Sequence, residues 1–172
     1  MGGGFLAGCL LPATAMAALR PDNRRRSLSF YNTHTAERLS ICYFKDGAYC
    51  PDAMASINHI LRDHRTGEIK PIDRRLLDLL ATINHRLGCG SPFHIISGYR
   101  SPKTNAMLRK TSSGVAKFSY HMLGRAIDIR LPDCDTHTLR QTCIDLQRGG
   151  VGYYPRSDFV HVDTGAFRTW NG

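Results

Sequence analysis

No CxxC pair, no zinc-finger spacing of cysteine and histidine, and no internal repeat occurs in the 172 residues. A cysteine-held metal site is therefore not expected, and neither is a repeat architecture. The chain also lacks a ribonucleoprotein aromatic motif and a helix-turn-helix with a basic second helix. Its formal net charge of +9 thus does not by itself point to nucleic acid, and no nucleic-acid partner is expected. An anionic envelope surface or an acidic polymer is the better match for that charge. At 42% hydrophobic and 22% charged residues, the composition fits one compact domain able to bury a real core.

Charge is missing altogether from the first nineteen residues, MGGGFLAGCLLPATAMAAL, which end in the small-x-small pattern ATAMA. The run is too short and glycine-rich for a membrane span, so no stable membrane insertion is expected. Residues 1–19 read as an export leader. The missing basic opening implies that the given start falls inside a longer leader. LAGC at Cys9 offers an alternative, lipid attachment, though little apolar sequence precedes it. Arg24 to Arg26 follow the apolar run and so are no twin-arginine signal. The expected organisation is a leader (1–19), a basic linker (20–27) and one domain (28–172).

Within that domain, SLSFYN and RLSICYF read as a strand pair, and FHIIS, AIDIRL, VGYY and DFVHVDT as further strands. Helical spacing appears in PDAMASINHILRDHR, in PIDRRLLDLLATINHRLG and in TLRQTCIDLQR. A fourth helix opens at Ser101-Pro102, with serine as cap and proline at the first helical position. The fold expected is α+β: a single small domain, mostly antiparallel sheet with helices packed on it. CYFKDGAYC reads as a hairpin with a Lys45-Asp46-Gly47 loop that sets Cys42 opposite Cys50, so those two can pair in an oxidising compartment. Cys134 with Cys143 is a second candidate, and free thiols are the alternative for all of them.

Strand alternation points to a site. In AIDIRL, Ile127, Ile129 and Leu131 face one way and Asp128 the other; in DFVHVD, Val160 and Val162 oppose His161 and Asp163. An aspartate inside an apolar run is costly unless a positive group sits beside it. If the two strands are neighbours, Asp128 and His161 share one surface, and a turn at Gly124 brings His121 to them. Two histidines and one carboxylate form a common catalytic zinc set with a fourth position left for water. Asp128 could instead pair with Arg100 or Arg125.

SGYRS, SYHMLGRAIDI and GGVGYYPRSDFVHVDTG, in that order, resemble the zinc peptidases of the D-alanyl-D-alanine carboxypeptidase and VanX/VanY group, which share a metal site with the hedgehog domain. The resemblance is greatest to YcbK/MepK-like periplasmic murein endopeptidases and runs from about Arg25 to Trp170. It implies a hedgehog-like α+β fold, zinc held by His121, Asp128 and His161, and Arg100 on the scissile carbonyl. It places the general base either on an acid three residues before the last ligand, where Asp158 stands, or on a histidine two before it, where Phe159 stands; Asp158 is therefore the choice, although an aspartate is one methylene shorter than the usual glutamate. Asp163 is the competitor, as base or as a partner orienting a ligand. Ser97, Tyr99, Ser119 and Tyr120 are candidate pocket-wall residues. The implied protein is an exported, periplasmic monomer that hydrolyses peptide cross-links of peptidoglycan. Alternatives are a carboxypeptidase trimming terminal D-alanine and a zinc-holding cell-wall module without catalysis.

Overall fold

The computed structural model describes Met1, residues 25–112 and residues 114–172. The expected leader with Cys9, beyond Met1, and residues 20–24 of the basic segment lie outside the described residues. Residues 25–27 of that segment already belong to the first strand, β1 (Arg25–Asn32).

Seven more strands follow: β2 (Arg38–Lys45), β3 (Ala48–Tyr49), β4 (Phe93–Ser97), β5 (Ala126–Arg130), β6 (Gly150–Tyr154), β7 (Phe159–Asp163) and β8 (Arg168–Asn171). All join one sheet in the order β3-β2-β1-β4-β5-β7-β6-β8. Pairing is parallel only for β1 with β4 and β6 with β8. The helices are α1 (Pro51–Ile60), α2 (Arg74–Leu87), α3 (Pro102–Thr111) and α4 (Thr136–Asp145). The result is the α+β domain expected, with a mostly antiparallel sheet.

Apolar periodicity explains which sheet face is covered. In α2 the buried Leu76, Leu77, Leu80 and Ile83 recur at three- and four-residue steps and make one stripe. Asp73 caps the helix by accepting from the Arg75 amide, and Gly88 ends it at φ 64°. The stripe meets the inward residues of the strands, among them Phe30, Phe93, Ile95, Ile127, Ile129, Val160 and Val162, in one core. Each such aliphatic side chain contributes about 1.5–3 kcal/mol by leaving water. On the opposite face Tyr31, His94 and Arg130 are only partly buried.

Three local differences from the sequence reading have physical causes. α1 stops at Ile60 rather than running on to Arg65, because the buried Asp63 carboxylate accepts from the Arg65 and Ser101 amides and draws the chain into a turn. The hairpin loop has two residues, not three. Asp46 and Gly47 both have positive φ (51° and 84°), the conformation of a type I′ turn, and Lys45 pairs with Ala48. That shortening sets Cys50 against Tyr43 rather than against Cys42, and the Tyr43 carbonyl accepts from the Cys50 amide at 2.9 Å. Cys42 and Cys50 are therefore not opposed, and all five described cysteines, Cys134 and Cys143 included, are free thiols. Finally, β8 was not expected: RTWN has no apolar alternation to announce a strand.

Candidate metal centre

β5 and β7 are direct neighbours, with Asp128 in register against His161. His121 arrives from a one-turn helix, Tyr120–Leu123, which Ser119 caps and Gly124 closes at φ 65°. A side chain at Gly124 would lie 2.4 Å from the Pro71 carbonyl, so the tight approach requires glycine. His121 Nε2, Asp128 Oδ1 and His161 Nδ1 converge, at 3.2 Å (His121–Asp128), 3.2 Å (His121–His161) and 2.8 Å (Asp128–His161). All three residues are buried.

The outer nitrogens decide what this cluster is. His121 Nδ1 lies 2.7 Å from the Gly98 carbonyl oxygen, which can only accept, so Nδ1 carries the proton. His161 Nε2 lies 3.1 Å from Asp163 Oδ2 and donates in the same way. Each ring, when neutral, therefore turns a lone pair inward, toward the other and toward a carboxylate oxygen. Three electron pairs about 3 Å apart repel unless a cation lies among them. A tetrahedral site with bonds of about 2.0–2.1 Å sets neighbouring donors roughly 3.3 Å apart, so the residues fit a metal of that kind.

Titration behaviour agrees. Burial is the largest influence on His121 and pushes its pKa down, against the pull of Asp128. Burial also opposes charge on His161, but hydrogen bonds to Asp128 and Asp163 overcome it and raise the pKa to about 8. Asp128 is held well below the usual carboxylate range: burial works against its charge, and His121 and His161 outweigh it. The environment favours positive charge at the focus of the three donors.

Arg100 stands beside this focus, its guanidinium 3.6 Å from Asp128 Oδ2. One amino group donates to Ser97 Oγ at 3.3 Å and the other to Asn105 Oδ1 at 3.4 Å, while Nε is buried without a partner. Arg100, His121, Asp128 and His161 share a cleft of about 720 Å³, walled by Tyr154 and Trp170 among others.

The two candidate bases part company. Asp163 is fully buried and its oxygens are taken by His161, by Arg168 at 2.6 Å, and by the amides of Gly150 and Gly165. Asp158 is exposed, at φ 51°, and pairs with Arg130 at 3.2 Å; Ser157 and Phe159 line the cleft but Asp158 does not. Of the candidate wall residues, Ser119 and Tyr120 line the cleft. Ser97 serves Arg100 instead, and Tyr99 is buried with its hydroxyl donating to Glu68.

Sequence reasoning missed Arg168 and Trp170. Both lie on β8 and cross β6, because Gly150 and Gly152 leave room: a Cβ at Gly150 would meet Arg168 at 2.4 Å, and one at Gly152 would meet Trp170 at 2.5 Å. Arg168 thereby reaches Asp163. Trp170 packs on His161 with ring centroids 5.1 Å apart and donates from Nε1 to the Tyr154 hydroxyl at 3.0 Å. Two glycines at a spacing of two, and Arg-x-Trp at the same spacing, are the sequence signal for this crossing.

Comparison with known proteins places this geometry in context. A family model of the M15 peptidases described as peptidoglycan L,D-endopeptidase MepK matches residues 20–170. The chain is 42% identical over 170 residues to the peptidoglycan L,D-endopeptidase MepK of Escherichia coli K12, covering 99% of this chain and 93% of that protein. The same figures hold for the protein of that name from Shigella flexneri. A probable peptidoglycan L,D-endopeptidase MepK from Haemophilus influenzae is 38% identical over 171 residues, covering 99% of this chain and 92% of that protein.

Proposed function

Because the chain belongs to the peptidoglycan L,D-endopeptidase MepK family, a family of metallopeptidases, we propose that it is an exported zinc enzyme that hydrolyses peptide cross-links of peptidoglycan. The observation that carries the reading is the set of three inward lone pairs beside an arginine in an open cleft. His121, Asp128 and His161 would hold zinc, a borderline-soft ion suited to imidazole and carboxylate. When bound, the ion supplies a water of lowered pKa and polarises the carbonyl.

The chain's own residues then have distinct tasks. Arg100 is the donor for charge developing on the scissile carbonyl oxygen. Its unpartnered Nε, its burial and its fixing by Ser97 and Asn105 suit a preorganised electrostatic role. Asp163 acts through His161, keeping the proton on Nε2 and the lone pair on Nδ1; Arg168 holds Asp163 in turn. For Asp158 to accept the water's proton it would have to exchange Arg130 for that water. Export and a periplasmic site are supported by the uncharged, small-residue start of the sequence. No helix among the described residues is long and apolar enough to cross a membrane.

Digestion of purified sacculi, with the fragments identified by mass spectrometry, tests the proposal. Cross-linked dimers should convert to monomers, and a chelator should stop the conversion. Loss of terminal D-alanine alone would establish a carboxypeptidase instead, and binding without any cleavage would leave a cell-wall binding module.

A further inference from the structure

Beyond the metal centre, the open sheet face holds a second ordered feature. Arg38 of β2 is in register with Tyr31 of β1, Tyr31 with His94 of β4, and His94 with Arg130 of β5. Pairing of Ile129 with Val160 brings Arg130 beside Phe159 of β7, and Phe159 pairs with Tyr154 of β6. These six residues form a line across the strands. At about 4.8 Å per strand the line is roughly 24 Å long. It runs alongside the row that contains Asp128 and His161, enters the cleft at Phe159 and Tyr154, and extends past it over β4, β1 and β2.

The line sets two cations, Arg38 and Arg130, among aromatic rings. The Arg38 guanidinium lies 4.3 Å from the Tyr31 ring centroid, and Tyr31 and His94 rings are 4.9 Å apart. Tyr154 and Phe159 stack at 4.4 Å and 17°. Among the described residues no carboxylate pairs with Arg38, and Arg130 has only the exposed Asp158. Burial, and then the charges of Arg130 and Arg38, push the pKa of His94 down. Like charges collected on an open face lower stability slightly unless anions join them, and Arg38 has none among the described residues.

We propose that this row is a track for the peptidoglycan segment that continues past the cut cross-link, with stem-peptide carboxylates on Arg38 and Arg130 and apolar portions of the polymer on the intervening rings. The inference rests on the function proposed above and assigns it a binding surface outside the cleft. Its support is continuity with the cleft, length in excess of what one peptide bond needs, and complementarity between a +9 chain and a carboxylate-bearing polymer.

The test is co-sedimentation of chelator-treated protein with purified sacculi, which reads binding without catalysis. Arg38→Glu should bind about ten-fold more weakly than wild type. Arg86→Glu, an equal charge change at an exposed position of α2 on the helix-covered side, should bind like wild type. The ratio of kcat/KM on sacculi to kcat/KM on a small soluble cross-linked dimer should fall by the same ten-fold in Arg38→Glu. Circular dichroism melts identify any misfolded variant, with Arg38→Gln then taking its place. Equal binding by Arg38→Glu and wild type would overturn the track, and so would an equal loss in Arg86→Glu. If wild type binds sacculi but cleaves no dimer, the hydrolase reading fails while the track stands.

Discussion

The two faces of the central strands are built from adjacent residues and are held by different physics. In β5, Ile127 and Ile129 are fully buried against the helices, while Asp128 between them meets the histidines on the other side. In β7, Val160 and Val162 flank His161 in the same way. The helix face is held by apolar burial, which is additive and tolerant of exchange among hydrophobes of similar size. The open face is held by a linear series of committed hydrogen bonds: Gly98 carbonyl to His121, then the three-donor focus, then His161 to Asp163 to Arg168. Each link depends on the placement of the one before it, and Asp163 is fixed further by the Gly150 and Gly165 amides, so a substitution in the series is felt along it. A single step along a strand thus separates stability from chemistry.

The largest expected effect exposes that separation directly. If the proposed zinc site holds, Asp128→Ala should abolish zinc binding, expected at about one ion per chain in wild type, and reduce cross-link cleavage to background, with the fold retained by circular dichroism. Ile129→Ala should do the reverse. A large-to-small change in the core costs about 2–5 kcal/mol in a denaturant melt, while zinc per folded chain stays near one. Metal retained in Asp128→Ala, or lost from folded Ile129→Ala, would break the distinction between the faces.

The same contrast explains what was legible in the sequence. Strand phase is written in single residues two apart, so Asp128 and His161 could be put on one surface before any register was known. Gly124 announced the turn that brings His121 to them. The α+β class followed from the same periodicities. Other features were set by relations between strands that alternation does not encode. The hairpin register turned on Asp46 and Gly47 both adopting positive φ, which moved Cys50 by one position. Arg168 and Trp170 became part of the site only because β8 pairs with β6, whose glycines let their side chains pass. The line from Arg38 to Tyr154 needs six strands in order, and no local pattern carries sheet order.

A smaller effect sharpens the account of the open face. Asp163→Asn preserves shape and acceptors for the Gly150 and Gly165 amides but weakens the hold on the His161 Nε2 proton. Zinc affinity should fall about 10–100-fold in competition with a chromogenic chelator. The pH dependence carries its own sign. Below about pH 8 a proton competes for His161 Nδ1, so wild-type affinity should rise with pH and level off above that value. Loss of one of the two carboxylates that raise this pKa moves the levelling to lower pH in the variant. An unchanged affinity and an unchanged pH profile would show that Asp163 merely fills space.

The smallest effect tests whether the exposed rim belongs to the chemistry at all. Asp158 lies three residues from His161, yet its backbone sits at φ 51° and its carboxylate turns to Arg130 rather than into the cleft. Asn tolerates that backbone region as well as Asp does, so Asp158→Asn removes the charge without straining the turn. An exposed ion pair is worth about 0–1 kcal/mol, and stability should hardly change. At equal zinc content, cleavage of a soluble dimer should stay within about two-fold of wild type, because the carboxylate does not face the focus of the three donors. Binding to sacculi should rise slightly, since Arg130 then loses its competitor for polymer carboxylates. A fall of ten-fold or more in kcat with KM preserved would instead make Asp158 the proton acceptor, and the Arg130 pair would have to open during each turnover.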